Sequence, residues 1–171
     1  FFNMDADDAV NYGAIGVVIG HEMTHGFDDQ GSQFDKEGNL RNWWTPQDKA
    51  NFKARTQRMI RFFDGIEVLP GLHCNGALTC GENIADHGGL KVAYQAFRNA
   101  TSSRPLADFG GFTPDQRFFF SYGQIWANNI RPEALRNQVK TDPHAPARWR
   151  VNGALPQIEA WYKAFGIKKG D

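Results

Sequence analysis

Residues 21–25 read His-Glu-Met-Thr-His, a pattern that acquires chemical meaning only when the backbone beneath it is helical. Two histidines four apart then project from one helix face and their imidazoles meet on one metal ion. Glu22 points into the same cleft, close enough to take a proton from a water on that metal. The flanking residues supply the helix. Val10, Ala14, Val17, Val18 and Ile19 recur at helical spacing, and Asp5, Asp7 and Asp8 stand where the positive end of the helix dipole favours them, so the spacing predicts a helix from about Asp7 to Phe27. Gly13, Gly16 and Gly20 each cost such a helix about 1 kcal/mol relative to Ala, which predicts a neighbouring element packed close against it.

A catalytic zinc needs a third protein ligand and an open position. The metzincin arrangement requires Gly at position 28 and His at position 31. The chain has Asp28 and Gly31, which excludes it. A later helix offers the alternative, starting at Gly81-Glu82-Asn83-Ile84-Ala85-Asp86 and running to about Phe97. Glu82 and Asp86 share a face of it, one placed to bind metal and the other to orient a ligand imidazole through its second nitrogen. Capping competes as an account of Glu82, because Thr79-x-x-Glu82 also fits a capping box. Asp28, three residues after His25, is a second candidate for supporting a ligand from outside.

The rest of the chain reads as one mainly α domain over residues 1–171. Hydrophobic residues make up 41% and charged residues 22%, which suits a single globular core. Nineteen basic residues balance nineteen acidic ones, so the excess positive field of a nucleic-acid or anionic-membrane binder is missing. The longest uncharged apolar run, Ala14–Gly20, is far too short to span a membrane. Thr45-Pro46 opens a helix to about Phe63, Thr113-Pro114 one to about Asn129, and Pro132 and Pro156 two shorter ones, the last ending at Gly166. Strand signals are confined to Gly31–Phe34 and Trp149–Val151. Cys74 and Cys80 either close one small loop as a disulfide or serve as buried apolar side chains. Asn99-Ala100-Thr101 is read as a chance glycosylation tripeptide.

Several longer blocks carry a family resemblance. Asn11–Gly31, Asn42-Trp43-Trp44, Asn75-Gly76, Gly81–Asp86, Asp142-Pro143-His144-Ala145-Pro146 and Arg150-Val151-Asn152-Gly153, in that order over nearly the whole chain, resemble the catalytic domain of the neprilysin and endothelin-converting-enzyme family of zinc metallopeptidases. The resemblance implies a thermolysin-like zincin (gluzincin) catalytic domain fragment with little β-structure. It implies one Zn2+ per chain held by His21, His25 and Glu82, with Glu22 as general base and Asp86 orienting a ligand histidine. It adds His144 as the group that stabilises the tetrahedral intermediate and Arg150 as the group that binds a substrate backbone carbonyl. Val17, Val18 and Trp126 match positions lining the pocket for the residue just after the scissile bond, although apolar residues at helical spacing are equally read as core.

The residues themselves add context. Pro143 and Pro146 bracket His144 in a stiff, non-helical loop. Arg150 reads as part of a short extended stretch, sharing a face with Arg148 while Trp149 and Val151 take the other. His73 and His87 have no such partners and read as structural or solvated.

The implied activity is cleavage of peptides on the amino side of large hydrophobic residues, outside the cytoplasm. The chain departs from the family at its ends: it starts twenty residues before His21, without the family's upstream Asn-Ala-x-Tyr edge strand, large helical domain or C-terminal tail. The expectation is therefore a fragment that binds zinc and cleaves peptides poorly, its natural complement being the N-terminal part of a parent protein. A zinc-dependent structural module is the alternative, and Glu22 speaks against it, since a structural site has no use for a carboxylate beside an open coordination position.

Overall fold

The helical stretch that carries the two histidines contains a wider turn in its middle. In the computed structural model, which describes residues 1–168, 170 and 171, α1 spans Asp8–Asn11, Tyr12–Gly16 winds as a π-helix, and α2 spans Val17–Thr24. His25–Phe27 then tightens into a 3₁₀ turn. The Asp7 carboxylate caps α1 by accepting from the Val10 N–H at 3.1 Å. The π turn coincides with an intrusion from a neighbour: the Ser121 hydroxyl donates to the Val10 carbonyl at 2.7 Å. A Cβ on Gly13 would overlap the Phe118 carbonyl, and one on Gly20 would stand 3.0 Å from Gly89 Cα. These two glycines thus admit close neighbours as expected. Gly16 faces only its own helical stretch, at Asn11 and Tyr12.

The helix α3 spans Pro46–Asp64, with Thr45 Oγ1 accepting from the Asp48 N–H, and α4 spans Cys80–Thr101. Between them lies a two-stranded antiparallel hairpin, β1 Glu67–Leu69 with β2 Leu72–His73, turned at Gly71 with φ +73°. Next, α5 spans Pro114–Ile125 behind a full capping box of Thr113 and Gln116. It stops four residues before the expected end at Asn129. Pro132–Thr141 forms α6, Ala147–Asn152 α7 and Glu159–Phe165 α8, which ends on left-handed Gly166. Pro156 belongs to a 3₁₀ turn, Leu155–Gln157, ahead of α8.

Neither expected strand is one. Gly31–Gln33 is a 3₁₀ turn, and Trp149–Val151 lies inside α7. The Trp149 and Arg150 N–H groups both bond back to the Pro146 carbonyl, which starts a helix where three alternating residues cannot by themselves distinguish helix from strand. The reading of Arg150 as an extended residue sharing a face with Arg148 is corrected accordingly. Arg148 instead lies over the Trp149 ring at the surface, and Arg150 is buried.

The main core gathers Val17, Leu90, Phe97, Phe118, Phe119, Tyr122, Leu155 and Ile158, so that α2, α4 and α5 share one apolar centre. A smaller cluster of Phe63, Ile66, Cys74 and Ala145 lies under the hairpin. Cys74 and Cys80 are both free thiols and both buried, the second of the two readings left open for them.

Candidate metal and catalytic centre

Helices α2 and α4 bring three donors to one point. His21 Nε2 lies 3.0 Å from His25 Nε2 and 3.1 Å from Glu82 Oε2, and His25 Nε2 lies 3.6 Å from Glu82 Oε1. Tetrahedral zinc at its usual bond lengths requires donors about 3.3 Å apart, so this triangle has the size of a zinc site. The donor chemistry agrees, since two imidazoles and a carboxylate form a common catalytic zinc set. Glu82 Oε2 is buried with no hydrogen-bond partner, as a ligand oxygen would be before its metal is added. The competing capping account of Glu82 is not realised: Thr79 makes no side-chain cap, and its hydroxyl donates instead to the Asn75 carbonyl at 2.9 Å.

Each histidine is held from behind through its other nitrogen. His21 Nδ1 lies 2.9 Å from Asp86 Oδ1, and His25 Nδ1 lies 2.8 Å from Asp28 Oδ2. Such contacts fix the tautomer that leaves Nε2 free for a metal. Asp28 is itself fixed, its other oxygen accepting from the Gln30 and Gly31 N–H groups at 2.9 and 2.7 Å. The electrostatics follow from burial and pairing. Burial alone would pull the His21 imidazole down, but the Asp86 and Glu82 carboxylates against its two nitrogens outweigh it and its pKa rises to about 9. Burial pushes the Asp86 and Glu82 carboxyls up, and the adjacent His21, with Arg150 beside Asp86 and His144 beside Glu82, holds both below their usual values.

Arg150 approaches from α7. Its Nε and Nη2 donate to Asp86 Oδ2 and Oδ1 at 2.8 and 2.7 Å, and its guanidinium carbon stands 3.9 Å from the centre of the Trp126 ring. The buried Tyr122 hydroxyl holds the Arg150 backbone carbonyl at 2.9 Å. His144 sits in the non-helical segment between α6 and α7, its Nε2 3.1 Å from Glu82 Oε2. Asp142 fixes that ring, with Oδ1 2.9 Å from the His144 N–H and 2.7 Å from Nδ1.

Val17, Val18, His21, Glu22, Asp86, Trp126, His144 and Arg150 line one cleft of ≈ 230 Å³, together with Phe1 and Ile125. Every site residue expected from the sequence is in or beside this cleft. Val17 also belongs to the main core, so both readings of it hold at once. Glu22 is exposed and its carboxylate has no hydrogen-bond partner among the described residues, unlike the acidic residues that hold the histidines. The supports supplied by Asp142 and Tyr122 were missed. The Asp-Pro-His sequence was a usable signal for the first, since Asp readily accepts from the backbone N–H two residues on. His87 is a structural residue, its Nδ1 against the Asn83 carbonyl, and His73 is exposed on β2.

Comparison with known proteins gives concordant matches. The model of peptidase family M13 matches residues 1–171. Human (Homo sapiens) neprilysin is 41% identical over 174 residues, covering 99% of this chain and 23% of that protein. Human endothelin-converting enzyme 1 is 42% identical over 176 residues, covering 99% and 22%. Among solved structures, the zinc metalloprotease Zmp1 of Mycobacterium tuberculosis in complex with inhibitor superposes with a TM-score of 0.96 at 42% identity, covering all of this chain and 27% of that one. PepO from Lactobacillus rhamnosis gives 0.87 at 38% identity, covering all of this chain and 26% of that one. The chain thus spans about a quarter of the length of these relatives. With a family model matched from end to end and a fold shared at about 40% identity, the chain belongs to peptidase family M13.

Proposed function

We propose that this chain carries the zinc centre and catalytic residues of a metalloendopeptidase. The observation that carries the reading is the His21–His25–Glu82 triangle, of zinc dimensions, with the uncommitted carboxylate of Glu22 in the adjoining cleft. Zinc bound there supplies a Lewis acid that polarises a peptide carbonyl and acidifies water. Glu22 takes the proton from the attacking water and delivers it to the leaving amine. His144, its ring set by Asp142, presents Nε2 to the oxygen that becomes negative. Asp86 holds His21 and Arg150 together, and the guanidinium hydrogens that Asp86 does not engage serve a substrate backbone carbonyl. Val18, Ile125 and Trp126 give the cleft an apolar side, which supports a preference for large hydrophobic residues just after the cut.

Residues 1–171 are read as one domain, since Trp149 packs on the cluster under the hairpin while Val151, on the same helix, packs on the main core. Among the described residues no helix is long and apolar enough to cross a membrane. Placement outside the cytoplasm rests on the family resemblance alone.

Substitution of Glu22 tests the reading. Glu22→Gln should keep zinc while lowering hydrolysis of a peptide with a large apolar residue after the scissile bond by about 10²- to 10⁴-fold. Turnover that survives the change would contradict it.

A further inference from the structure

Helices α2 and α4 meet along a seam from which side chains have been removed at three points. At the far end, a Cβ on Gly89 would stand 2.7 Å from both the His21 nitrogen and the Val17 carbonyl oxygen. At the near end, a Cβ on Gly81 would come 2.9 Å from Asp29 Oδ1 and 3.1 Å from Asp28 Oδ2. Between them, a Cβ on Gly88 would fall on the Thr24 methyl and hydroxyl and 3.0 Å from its Cβ. Thr24 is not free to turn away, because its hydroxyl donates to the Gly20 carbonyl at 2.7 Å. The outer points are backbone or the carboxylates beyond the end of α2, whereas the middle one is a fixed α2 side chain seated on a bare stretch of helix.

The position of this contact gives it consequence. Thr24 stands between Glu22 and His25 on α2, and Gly88 follows Asp86 by two residues on α4. Glu82 stands in the first turn of α4, so the placement of that helix sets the 3.1 Å approach of its Oε2 to His21. We propose that Thr24 and Gly88 are positioning residues for the zinc site, their contact fixing α4 along and against α2 and thereby holding Glu82 opposite the two histidines. The inference rests on the zinc reading given above. In an ordinary helix interior, Gly→Ala is stabilising; here the same change displaces a ligand.

Titration of the metal-free chain with Zn2+ and with Co2+ tests this, with circular dichroism reporting the fold. Gly88→Ala should keep its helical signal, lose about 10- to 100-fold in zinc affinity and show altered visible bands with bound Co2+. Thr24→Ala alone, which opens the contact, should weaken zinc severalfold, less than Gly88→Ala does. Combining it with Gly88→Ala should restore most of the affinity, because only the Thr24 Cβ then remains in the way. Gly123→Ala in α5, whose added carbon would meet only Val151 Cγ1 at 4.0 Å, should leave binding unchanged.

Unaltered affinity in Gly88→Ala, or no recovery in the double variant, would overturn the positioning role while leaving the zinc site in place. If Gly88→Ala loses its helical signal, Thr24→Ala, which opens the contact without adding atoms, carries the test; unaltered zinc affinity there would likewise overturn the role. Failure of the unsubstituted chain to bind either metal would contradict the zinc reading itself, and the inference would fall with it.

Discussion

Asp86 and Arg150 form a two-point ion pair inside the protein, with Nε–Oδ2 2.8 Å and Nη2–Oδ1 2.7 Å, while the same Asp86 Oδ1 lies 2.9 Å from His21 Nδ1. One carboxylate therefore holds both the proposed metal ligand His21 and the arginine proposed to meet substrate. Both partners are nearly inaccessible, at 2% and 7% exposure, so removing either leaves a charge stranded. Arg150→Ala is expected to lower stability by about 3–5 kcal/mol. Asp86→Ala is expected to reduce zinc affinity about 10- to 100-fold. Denaturant unfolding in chelator and zinc titration read the two effects separately, and a silent Asp86→Ala would remove it from the site.

His144 makes its case through Asp142. Because Asp142 Oδ1 receives both the His144 N–H and Nδ1, Asp142→Ala should act on turnover through the histidine ring rather than on metal. His144→Ala should cost about 10²- to 10³-fold in kcat. Asp142→Ala should cost less in the same direction, with one zinc per chain in both variants. Peptide hydrolysis beside elemental analysis checks this, and zinc loss in either variant would mean that His144 supports the metal.

What the sequence made visible was local and periodic. The His21–His25 spacing, the Glu82–Asp86 spacing and the Thr45-Pro46 and Thr113-Pro114 starts each lie within one helical turn, where a 3.6-residue period or a capping rule suffices. The partners that complete the site lie far apart along the chain, as Asp86 and Arg150 do, and no period records them. Arg150 was placed on a strand because its three-residue alternation is compatible with either period. The hairpin over Glu67–His73 announced itself only through Pro70-Gly71, and its strands are too short to show alternation. The π turn at Tyr12–Gly16 coincides with Ser121 reaching the Val10 carbonyl from another helix, a contact no local period records.

The two threonines that look like caps should behave differently. Thr113 takes part in a complete capping box, so Thr113→Ala should cost about 1 kcal/mol of stability without touching zinc. Thr79 is no cap and accepts from the buried Asn83 side chain at 3.0 Å, so its loss should strand a buried amide next to the ligand helix. Thermal unfolding of both variants, with and without zinc, distinguishes them: only Thr79→Ala should alter the increment that zinc gives.

Cys74 and Cys80 should be chemically silent in the folded protein. Burial, with the Asp64 carboxylate adding to it, pushes the Cys74 thiol up to about 11. Burial with Asp29 and Asp28 pushes Cys80 up to about 12. Below those values the thiolate, which is the reactive form, is scarce. Alkylation with iodoacetamide at neutral to mildly alkaline pH should label neither in native buffer and both in denaturant. Rapid native labelling would mean that the hairpin cluster opens.

Whether His21, His25 and Glu82 hold one zinc is decided by metal analysis of the purified chain beside Glu82→Ala. One zinc per unsubstituted chain is expected, with its loss from the variant and the helical signal retained in both. An unsubstituted chain without zinc, or a Glu82→Ala chain that keeps it, would contradict the site as described.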